Sequence, residues 1–461
     1  MTVDTGPTAT ANNAQVTGQR HTPPGHAALP GRRVAAAWFA VFAVYAAAMI
    51  FTRHADGTWA AWGCGGYAAA ALLLLAPTGW VIPLAAALGG ALIAPLLWLI
   101  TTFPPTGEVV VIGQSASYLL RHGTPYLPPT LITGWTSYNP YLPLMEVFGL
   151  PRSAGLPGVL GDPRIWTTLA TVVAGGAAFA VASPHRVRDC PHCRRRVAWL
   201  TAVALASPLI AFPLAVGVTD PPIIALTCLV LAWAGQGRLV RAGVVLGVAC
   251  AMKTTAWAVV PVLAVMAWVR YAPRGAARLT VTTVLTGVVL ALLAAPEALA
   301  TPAALKQNLI DYPLGLSKFK TVAASPLPGH LIAGLGHGGR LTVDVLLVVA
   351  VAAFVGWLLL RPPRDERDAT VRLAVGYAVM FILDPSTRFG YFAYPLALLG
   401  WLALTKSNPR SDNPERSRGF APPELRFLLR AHAAGQWCST RCGDRVRAAG
   451  HYARHHPAAA A

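Results

Sequence analysis

The stretch from residue 79 to residue 102 reads GWVIPLAAALGGALIAPLLWLITT and contains no charged side chain. An α-helix rises about 1.5 Å per residue, so a helix of this length crosses the roughly 30 Å hydrocarbon core of a bilayer. Polar and apolar residues do not alternate in it, as they would along a strand of a membrane barrel. The stretch therefore predicts a transmembrane helix.

Similar apolar runs recur along the whole chain of 461 residues. Hydrophobic residues make up 55% of the chain and charged residues only 12%, whereas soluble domains carry about 25% charged residues. Because lipid offers the backbone no hydrogen-bond partners, such runs are expected to form helices. The predicted fold is an all-α polytopic membrane protein with about 12 transmembrane helices. The runs lie at 34–52, 59–76, 79–102, 163–182, 197–218, 221–236, 240–253, 255–270, 279–296, 341–360, 370–384 and 390–405.

The basic residues cluster in short connections between these runs. A net charge of +19 could indicate a nucleic-acid partner, but the clusters at 186–196, 238–241, 270–278 and 361–367 all fall on one side of the membrane if the runs alternate. The positive-inside rule makes that side cytoplasmic. We therefore predict a multi-pass protein of the cell membrane that contacts membrane lipids, has cytoplasmic N- and C-termini, and binds no nucleic acid.

The composition divides the chain into three parts. Residues 1–32 are polar and rich in Thr, Pro, Gly and Ala, which predicts a disordered cytoplasmic segment. Residues 33–406 hold all the apolar runs and form the predicted transmembrane domain. Residues 407–461 are basic and rich in alanine, so we predict a largely disordered cytoplasmic tail. The function is expected to reside in the central part.

Two long connections, 103–162 and 297–340, fall on the outer face in this topology. Three short turns on the same face carry charges, namely Asp220, Lys253 and the turn 384–388. Connections longer than about 15 residues are usually functional. Ionisable groups confined to one face favour an active site at the membrane surface, whereas a transporter holds such groups near mid-depth.

The cysteines offer one candidate metal site. Cys190 and Cys193 have CxxC spacing, and Cys438 and Cys442 lie in the tail. The four thiolates could bind zinc if the tail folded back under the membrane, but only one pair has the usual spacing. The outer connections carry no metal signature. The sequence therefore predicts no metal at the site of chemistry and no cofactor.

The most informative segment runs from residue 107 to residue 151 and reads GEVVVIGQSASYLLRHGTPYLPPTLITGWTSYNPYLPLMEVFGLP. Glu108 opens an amphipathic stretch that predicts a helix ending at Gly123. Three aromatic residues follow among prolines: Trp135, Tyr138 and Tyr141. Such residues are typical of the interfacial belt of membrane proteins. Together with a nearby acid, however, they indicate carbohydrate chemistry, because a sugar ring stacks on aromatic rings and a carboxylate can take the proton of a sugar hydroxyl.

Several motifs follow one another in a characteristic order. The first loop contains the acid, Leu-Leu-x-x-Gly-x-Pro-Tyr at 119–126 and Tyr-x-Pro at 138–140. Thr-Asp-Pro-Pro at 219–222, a glycine-rich run at 247–253 that ends in lysine, and Asp-Pro-Ser-Thr-Arg-Phe-Gly-Tyr at 384–391 come later. Over about residues 105–405 this order resembles that of GT-C glycosyltransferases, in particular the family 87 polyprenol-phosphate-mannose-dependent mannosyltransferases.

The resemblance implies an inverting transfer of a sugar, mannose in that family, from a polyprenyl-phosphate donor to a glycan or glycolipid acceptor on the outer face. Glu108 would take the proton of the acceptor hydroxyl. The family normally has an aspartate at this point and places it after the first span, so Asp56 is the rival base. The residues after Glu108 match the family pattern and those after Asp56 do not, which favours Glu108.

The resemblance also implies which residues bind the substrates. The leaving group is an anionic phosphate, so cations are expected beside it. Four basic residues are the candidates for binding the donor phosphate: Lys253, Arg388, Lys318 and Lys320. Four further residues are the candidates for binding the remaining parts of the substrates: Trp135, Tyr138, Tyr141 and Asp220.

Two other functions remain open at this point. A transporter or lipid flippase would need broken helices or ionisable groups at mid-depth and an internal repeat. We find no convincing repeat, although Pro208, Pro213 and Pro261 interrupt apolar runs. A catalytically inactive membrane scaffold is the third hypothesis, and it would tolerate replacement of both Glu108 and Asp56.

Overall fold

The computed structural model describes residues 31–52, 55–105, 107–183 and 191–405, without the side chain of His192. Every regular element in these ranges is helical and none is a strand, which confirms the all-α prediction. The predicted tail and almost all of the N-terminal segment lie outside the described residues. The helices are α1 Arg32–Met49, α2 Ala55–Leu75, α3 Val81–Leu88, α4 Ala94–Thr102, α5 Gly107–His122, α6 Leu150–Ser153, α7 Gly158–Gly161, α8 Pro163–Ala182, α9 Pro191–Ala206, α10 Pro208–Val216, α11 Asp220–Gly235, α12 Leu239–Met252, α13 Val259–Ala294, α14 Pro302–Lys306, α15 Pro328–Ala333, α16 His337–Leu360, α17 Glu366–Leu383 and α18 Ala393–Thr405.

Several of these helices are long and apolar enough to cross a membrane. Within the described ranges six qualify, and seven if α9 and α10, bent by 67°, count as one span. The bend follows from the sequence, because Ser207 caps α10 by accepting the backbone N–H of Leu209 and Pro208 occupies the first turn. Helices α11 and α12 are apolar but shorter. The chain is a membrane protein, and the number of twelve spans remains a prediction.

Helix α13 combines two predicted runs, 255–270 and 279–296, in one element. It is interrupted at Tyr271 and Ala272, and Ala272 has a φ of 63°. Proline disfavours the helical conformation in the residue before it, so Pro273 accounts for the break. Helical structure resumes at once after the break. The predicted loop between the two runs, residues 271–278, is therefore too long.

The chain reverses direction at this break. After it, α13 runs alongside α12, with Gly243 next to Leu279 and Gly247 next to Thr283. Because the residue numbers of the two helices rise together, this half of α13 is parallel to α12. The half before the break starts where α12 ends, so it runs in the opposite direction, as two consecutive membrane segments would.

The buried core surrounds α11, whose residues are buried along almost its whole length. Helices α8, α12, α17 and α18 pack around it. Helices α1 to α4 form a second apolar cluster together with α10. In this cluster α2 crosses the α3–α4 stretch at two glycines, where a Cβ added to Gly66 would lie 2.7 Å from Cα of Gly90. Only residues without a side chain allow backbones to approach so closely.

Gly66→Ala is therefore expected to destabilise the protein by about 1–3 kcal/mol, since the added methyl group meets backbone atoms that cannot rotate away. The midpoint of thermal unfolding in detergent checks this expectation. Gly65→Ala is the matched control, because no atom lies within 4 Å of its added Cβ, and alanine favours the helix. Equal midpoints for the two variants would contradict the close crossing.

The two long loops and the three charged turns meet at one end of the bundle. The N–H of Asn139 in the first loop donates to Oδ1 of Asn308 in the second loop at 2.7 Å. The N–H of Leu142 donates to the carbonyl of Met252, next to the Lys253 turn, at 3.0 Å. Both loops also contain short helices, so they are ordered structures. That this end faces outward remains a prediction.

Candidate active site

Glu108 lies in the first turn of α5, at the end of the bundle where the loops meet. Helix α5 ends at Gly123 as predicted, because a φ of 67° suits glycine and stops the helix. The Glu108 side chain is 16% exposed. Its Oε2 accepts hydrogen bonds from the backbone N–H and the hydroxyl of Thr219, both at 3.0 Å. Its Oε1 lies 3.1 Å from Nη1 of Arg388, so both carboxylate oxygens have partners.

Asp220 and Lys253 form a second ion pair beside the first. Asp220 begins α11 and is 3% exposed, while Lys253 follows α12 and is 12% exposed. Nζ of Lys253 donates to Oδ1 of Asp220, which also accepts the hydroxyl of Tyr394 at 2.8 Å. The same Nζ lies 3.4 Å from Oγ1 of Thr219. Thr219 therefore links the two pairs into one ion-pair cluster, formed by Glu108, Thr219, Asp220, Lys253 and Arg388.

Two tyrosine rings flank the ammonium group of Lys253. Its Nζ lies 5.5 Å from the ring centre of Tyr141 and 6.0 Å from that of Tyr391. A cation over an aromatic face is attracted by the negative charge of the ring face. Burial raises the pKa of Tyr141, and the nearby Glu108 raises it further, so the Tyr141 hydroxyl stays protonated. The aromatic rings thus shape the space around the cation without adding charge.

The turn that carries Arg388 is held by the second long loop. The N–H of Ser325 donates to the carbonyl of Thr387 at 2.9 Å, and Nδ1 of His330 lies 2.8 Å from the carbonyl oxygen of Pro385. Arg388 itself remains 33% exposed. The guanidinium group is therefore anchored through its backbone and still accessible to a ligand.

The electrostatics of the ion-pair cluster balance two carboxylates against two cations. Burial lowers the pKa of Arg388, but the Glu108 carboxylate together with the nearby Tyr391, Tyr141 and Tyr312 outweighs this effect. The pKa is raised, so the guanidinium stays charged. Interactions between such partly buried charges are several times stronger than in water. An anionic ligand that enters the cluster can therefore bind Lys253 and Arg388 in place of the carboxylates of Asp220 and Glu108.

Five predicted site residues come together in or beside this cluster: Glu108, Asp220, Lys253, Arg388 and Tyr141. Trp135 is close by, since its ring packs directly against the Cα of Gly107. Tyr138 has no exposed surface and stacks on Tyr312 with ring centres 4.5 Å apart. It therefore supports the contact between the two loops.

Three predicted residues lie elsewhere. Lys318 and Lys320 are exposed in the second long loop, with Lys318 next to the ring of Phe319. Asp56 lies in the first turn of α2 and beside Tyr45. None of the contacts given above for the ion-pair cluster involves these three residues.

Sequence reasoning assigned no role to Thr219, Tyr391 or Tyr394, although the first two belong to the motifs quoted above. Thr219 directly precedes Asp220, so its position at a charged turn was a usable signal. Tyr394 lies within an apolar run, where an aromatic residue is typical of any membrane helix. Nothing local distinguished it as a partner of Asp220.

No group of three or more His, Cys, Asp or Glu side chains is arranged to hold a metal within the part of the chain that the structure describes. Cys193 is buried near the start of α9. Its proposed zinc partners Cys190, Cys438 and Cys442 lie outside the described residues.

Comparison with known families identifies a match. The model of the family described as glycosyltransferase family 87 matches residues 136–385, which is more than half of the chain. The matched range contains Asp220 and Lys253, while Glu108 precedes it and Arg388 follows it closely. No curated protein and no solved structure matches the chain.

Proposed function

The chain belongs to glycosyltransferase family 87 and is a membrane glycosyltransferase of the GT-C type; from this premise we propose that it transfers mannose from a polyprenyl-phosphate donor. The acceptor is a hydroxyl of a glycan or glycolipid at the outer face of the cell membrane. The observation that carries the proposal is the meeting of a carboxylate, Glu108, with two cations, Arg388 and Lys253, at one end of the helical bundle.

The two cations suit a donor whose leaving group is a lipid phosphate. When the bond between the sugar and the phosphate breaks, the phosphate keeps the electron pair and gains negative charge. Preorganised cations in a partly buried site stabilise such developing charge. Lys253 and Arg388 provide them where helices end, which is the depth of a lipid headgroup. The exposed Lys318 and Lys320 attract the anionic donor from the second loop.

Glu108 acts as the general base in this proposal. Its carboxylate takes the proton of the acceptor hydroxyl, the hydroxyl oxygen forms a bond to the anomeric carbon, and the bond from that carbon to the phosphate oxygen breaks. Attack from the side opposite the leaving group inverts the configuration. The two hydrogen bonds from Thr219 orient the carboxylate, which such a proton transfer requires.

The aromatic residues divide the site into two parts. Tyr141 and Tyr391 flank Lys253 and confine the donor phosphate. Trp135 is partly exposed and packs on the first residue of α5, next to Glu108, where it offers a ring face to the acceptor sugar. Asp220 holds Lys253 in place between the two tyrosines.

The test of the proposal is sugar transfer in purified membranes from a panel of radiolabelled donors. Polyprenyl-phosphate mannose should label an acceptor, whereas polyprenyl-phosphate glucose and a nucleotide-linked mannose should not. The anomeric configuration of the product should be opposite to that of the donor. Labelling from the nucleotide sugar alone would exclude a lipid-phosphate donor, and labelling from the glucose donor alone would exclude mannose.

Arg388→Gln is expected to raise the KM for the donor about 10- to 100-fold, because it removes a charge-assisted hydrogen bond to the phosphate. Initial rates at varied donor concentration measure the effect. Lys306→Gln is the control, since it removes the same charge at the same end from a side chain that is 65% exposed and pairs with Asp311. Equal KM values for both variants would remove Arg388 from the donor site.

A further inference from the structure

A chain of buried polar side chains is hydrogen-bonded to the backbone of Tyr141, whose ring flanks Lys253 of the ion-pair cluster. It consists of Glu146, Asn139 and Asn308, each with no exposed surface. Nδ2 of Asn139 donates to Oε1 of Glu146 at 2.7 Å, and the N–H of Asn139 donates to Oδ1 of Asn308 at 2.7 Å. Asn308 is itself anchored to its own helical turn by a hydrogen bond from Nδ2 to the carbonyl of Ala304 at 2.9 Å. None of the three has a role in the chemistry proposed above.

Glu146 is an unusual residue for its surroundings. It belongs to a short 3₁₀-helix, Pro143–Phe148, whose other buried side chains are apolar. Burial raises the pKa of its carboxyl group well above the ordinary value, and the hydrogen bond from Asn139 only partly opposes this. Burial therefore favours the protonated form of this carboxyl group. Burying a polar group lowers the free energy of unfolding unless the group is hydrogen-bonded, so the hydrogen bond that Glu146 accepts from Asn139 indicates its role.

Glu146 determines which way the amide of Asn139 points. Its Oε1 is an acceptor and therefore selects the NH₂ end of the amide. The oxygen end is thereby turned toward the N–H of Tyr141, which it accepts at 3.0 Å. If the amide were reversed, its NH₂ group would face that N–H, and two donors would oppose each other.

The backbone of Tyr141 is held on its other side as well. Its carbonyl accepts the hydroxyl of Tyr126 at 3.0 Å. The next residue, Leu142, donates its N–H to the carbonyl of Met252 at 3.0 Å, and Met252 directly precedes Lys253. A continuous series of hydrogen bonds thus connects Glu146 through Asn139 with the backbone that carries the Tyr141 ring.

We propose that Glu146 is a positioning residue of the donor site, which acts through Asn139 to hold the Tyr141 ring against Lys253. The inference rests on the proposed function, because it treats Lys253 as a ligand of the donor phosphate. It assigns Glu146 no proton transfer and no contact with substrate. Its carboxyl group serves as the hydrogen-bond acceptor for Nδ2 of Asn139.

Three variants test this assignment. Glu146→Leu removes the acceptor at similar volume, and the KM for the donor should rise about tenfold, as expected for the loss of one buried hydrogen bond, with a smaller change in kcat. Glu146→Gln keeps an oxygen at the Oε1 position and should stay within about twofold of the wild type. Met145→Leu, at a neighbouring buried position, controls for packing, since it conserves volume.

A second readout is the affinity for unlabelled polyprenyl phosphate, which does not depend on the sugar. Affinity should fall about tenfold in Glu146→Leu and recover in Glu146→Gln. A loss of thermal stability with unchanged affinity and KM would overturn the proposal in favour of a purely structural role. Equal damage from Gln and Leu would overturn it in favour of a proton-transfer role. If the wild type binds polyprenyl phosphate but transfers no mannose, the proposed sugar is wrong, and the affinities of the Glu146 variants still decide the role of Glu146. If the wild type binds no polyprenyl phosphate, both proposals are wrong.

Discussion

Glu108→Gln is expected to lower the rate of sugar transfer about 10³-fold, the range found when a general base is removed. The amide keeps the shape of the side chain and can still accept a hydrogen bond from Thr219, so the fold should persist. It cannot, however, take up the proton of the acceptor hydroxyl. Transfer from radiolabelled polyprenyl-phosphate mannose, measured at saturating donor in purified membranes, checks the effect.

Asp56→Asn is the control for this experiment, because Asp56 is the rival base and lies in the first turn of α2. Loss of transfer in Glu108→Gln alone would identify Glu108 as the base. The opposite pattern would assign the role to Asp56 and reduce Glu108 to a partner of Arg388. Full activity in both variants would contradict base catalysis by either carboxylate.

Lys253→Ala is expected to weaken use of the donor about 10²-fold, since truncation of a partly buried charge that pairs with a ligand has effects of this size. It also leaves Asp220, which is 3% exposed, without its cation. Breaking a buried pair in this way lowers the free energy of unfolding by up to about 3–5 kcal/mol. Donor KM and the thermal midpoint in detergent should therefore change together.

The double variant Lys253→Met with Asp220→Asn separates these two effects. It removes both charges, and the new amide can still accept the hydroxyl of Tyr394 that Asp220 accepts now. The thermal midpoint should recover, while donor use stays low because the cation is absent. Recovery of donor use as well would show that Lys253 only neutralises Asp220.

Much of the fold could be predicted from local patterns. Hydropathy located the helical segments because a membrane helix must be apolar over most of its length. It overestimated the length of the connection between residues 270 and 279, where Arg274 and Arg278 were assigned to a loop. In the structure the break is limited to Tyr271 and Ala272, and Arg274 and Arg278 lie in the helical part that follows, with both side chains exposed. Charged residues at the end of a membrane helix can reach the headgroups without breaking it.

The site was predictable only in part. The order of the motifs identified Glu108, Lys253 and Arg388 as candidates. No local pattern, however, predicts the contact between Glu108 and Arg388, which are 280 positions apart in sequence. The same limit applies to Asn139 and Asn308, whose hydrogen bond joins two loops. Contacts of this kind arise from the packing of the bundle, which periodicity and spacing do not describe.

The direct contact between Glu108 and Arg388 constrains how the donor sugar has to bind. In an inverting displacement the base and the leaving phosphate lie on opposite faces of the sugar ring, whereas here the groups proposed to serve them are 3.1 Å apart. Within the proposed mechanism a sugar ring has to enter between them, so binding of the donor has to break the ion pair between Glu108 and Arg388. Part of the donor's binding free energy then goes into separating the two side chains, and the base is released for proton transfer only when a donor is present.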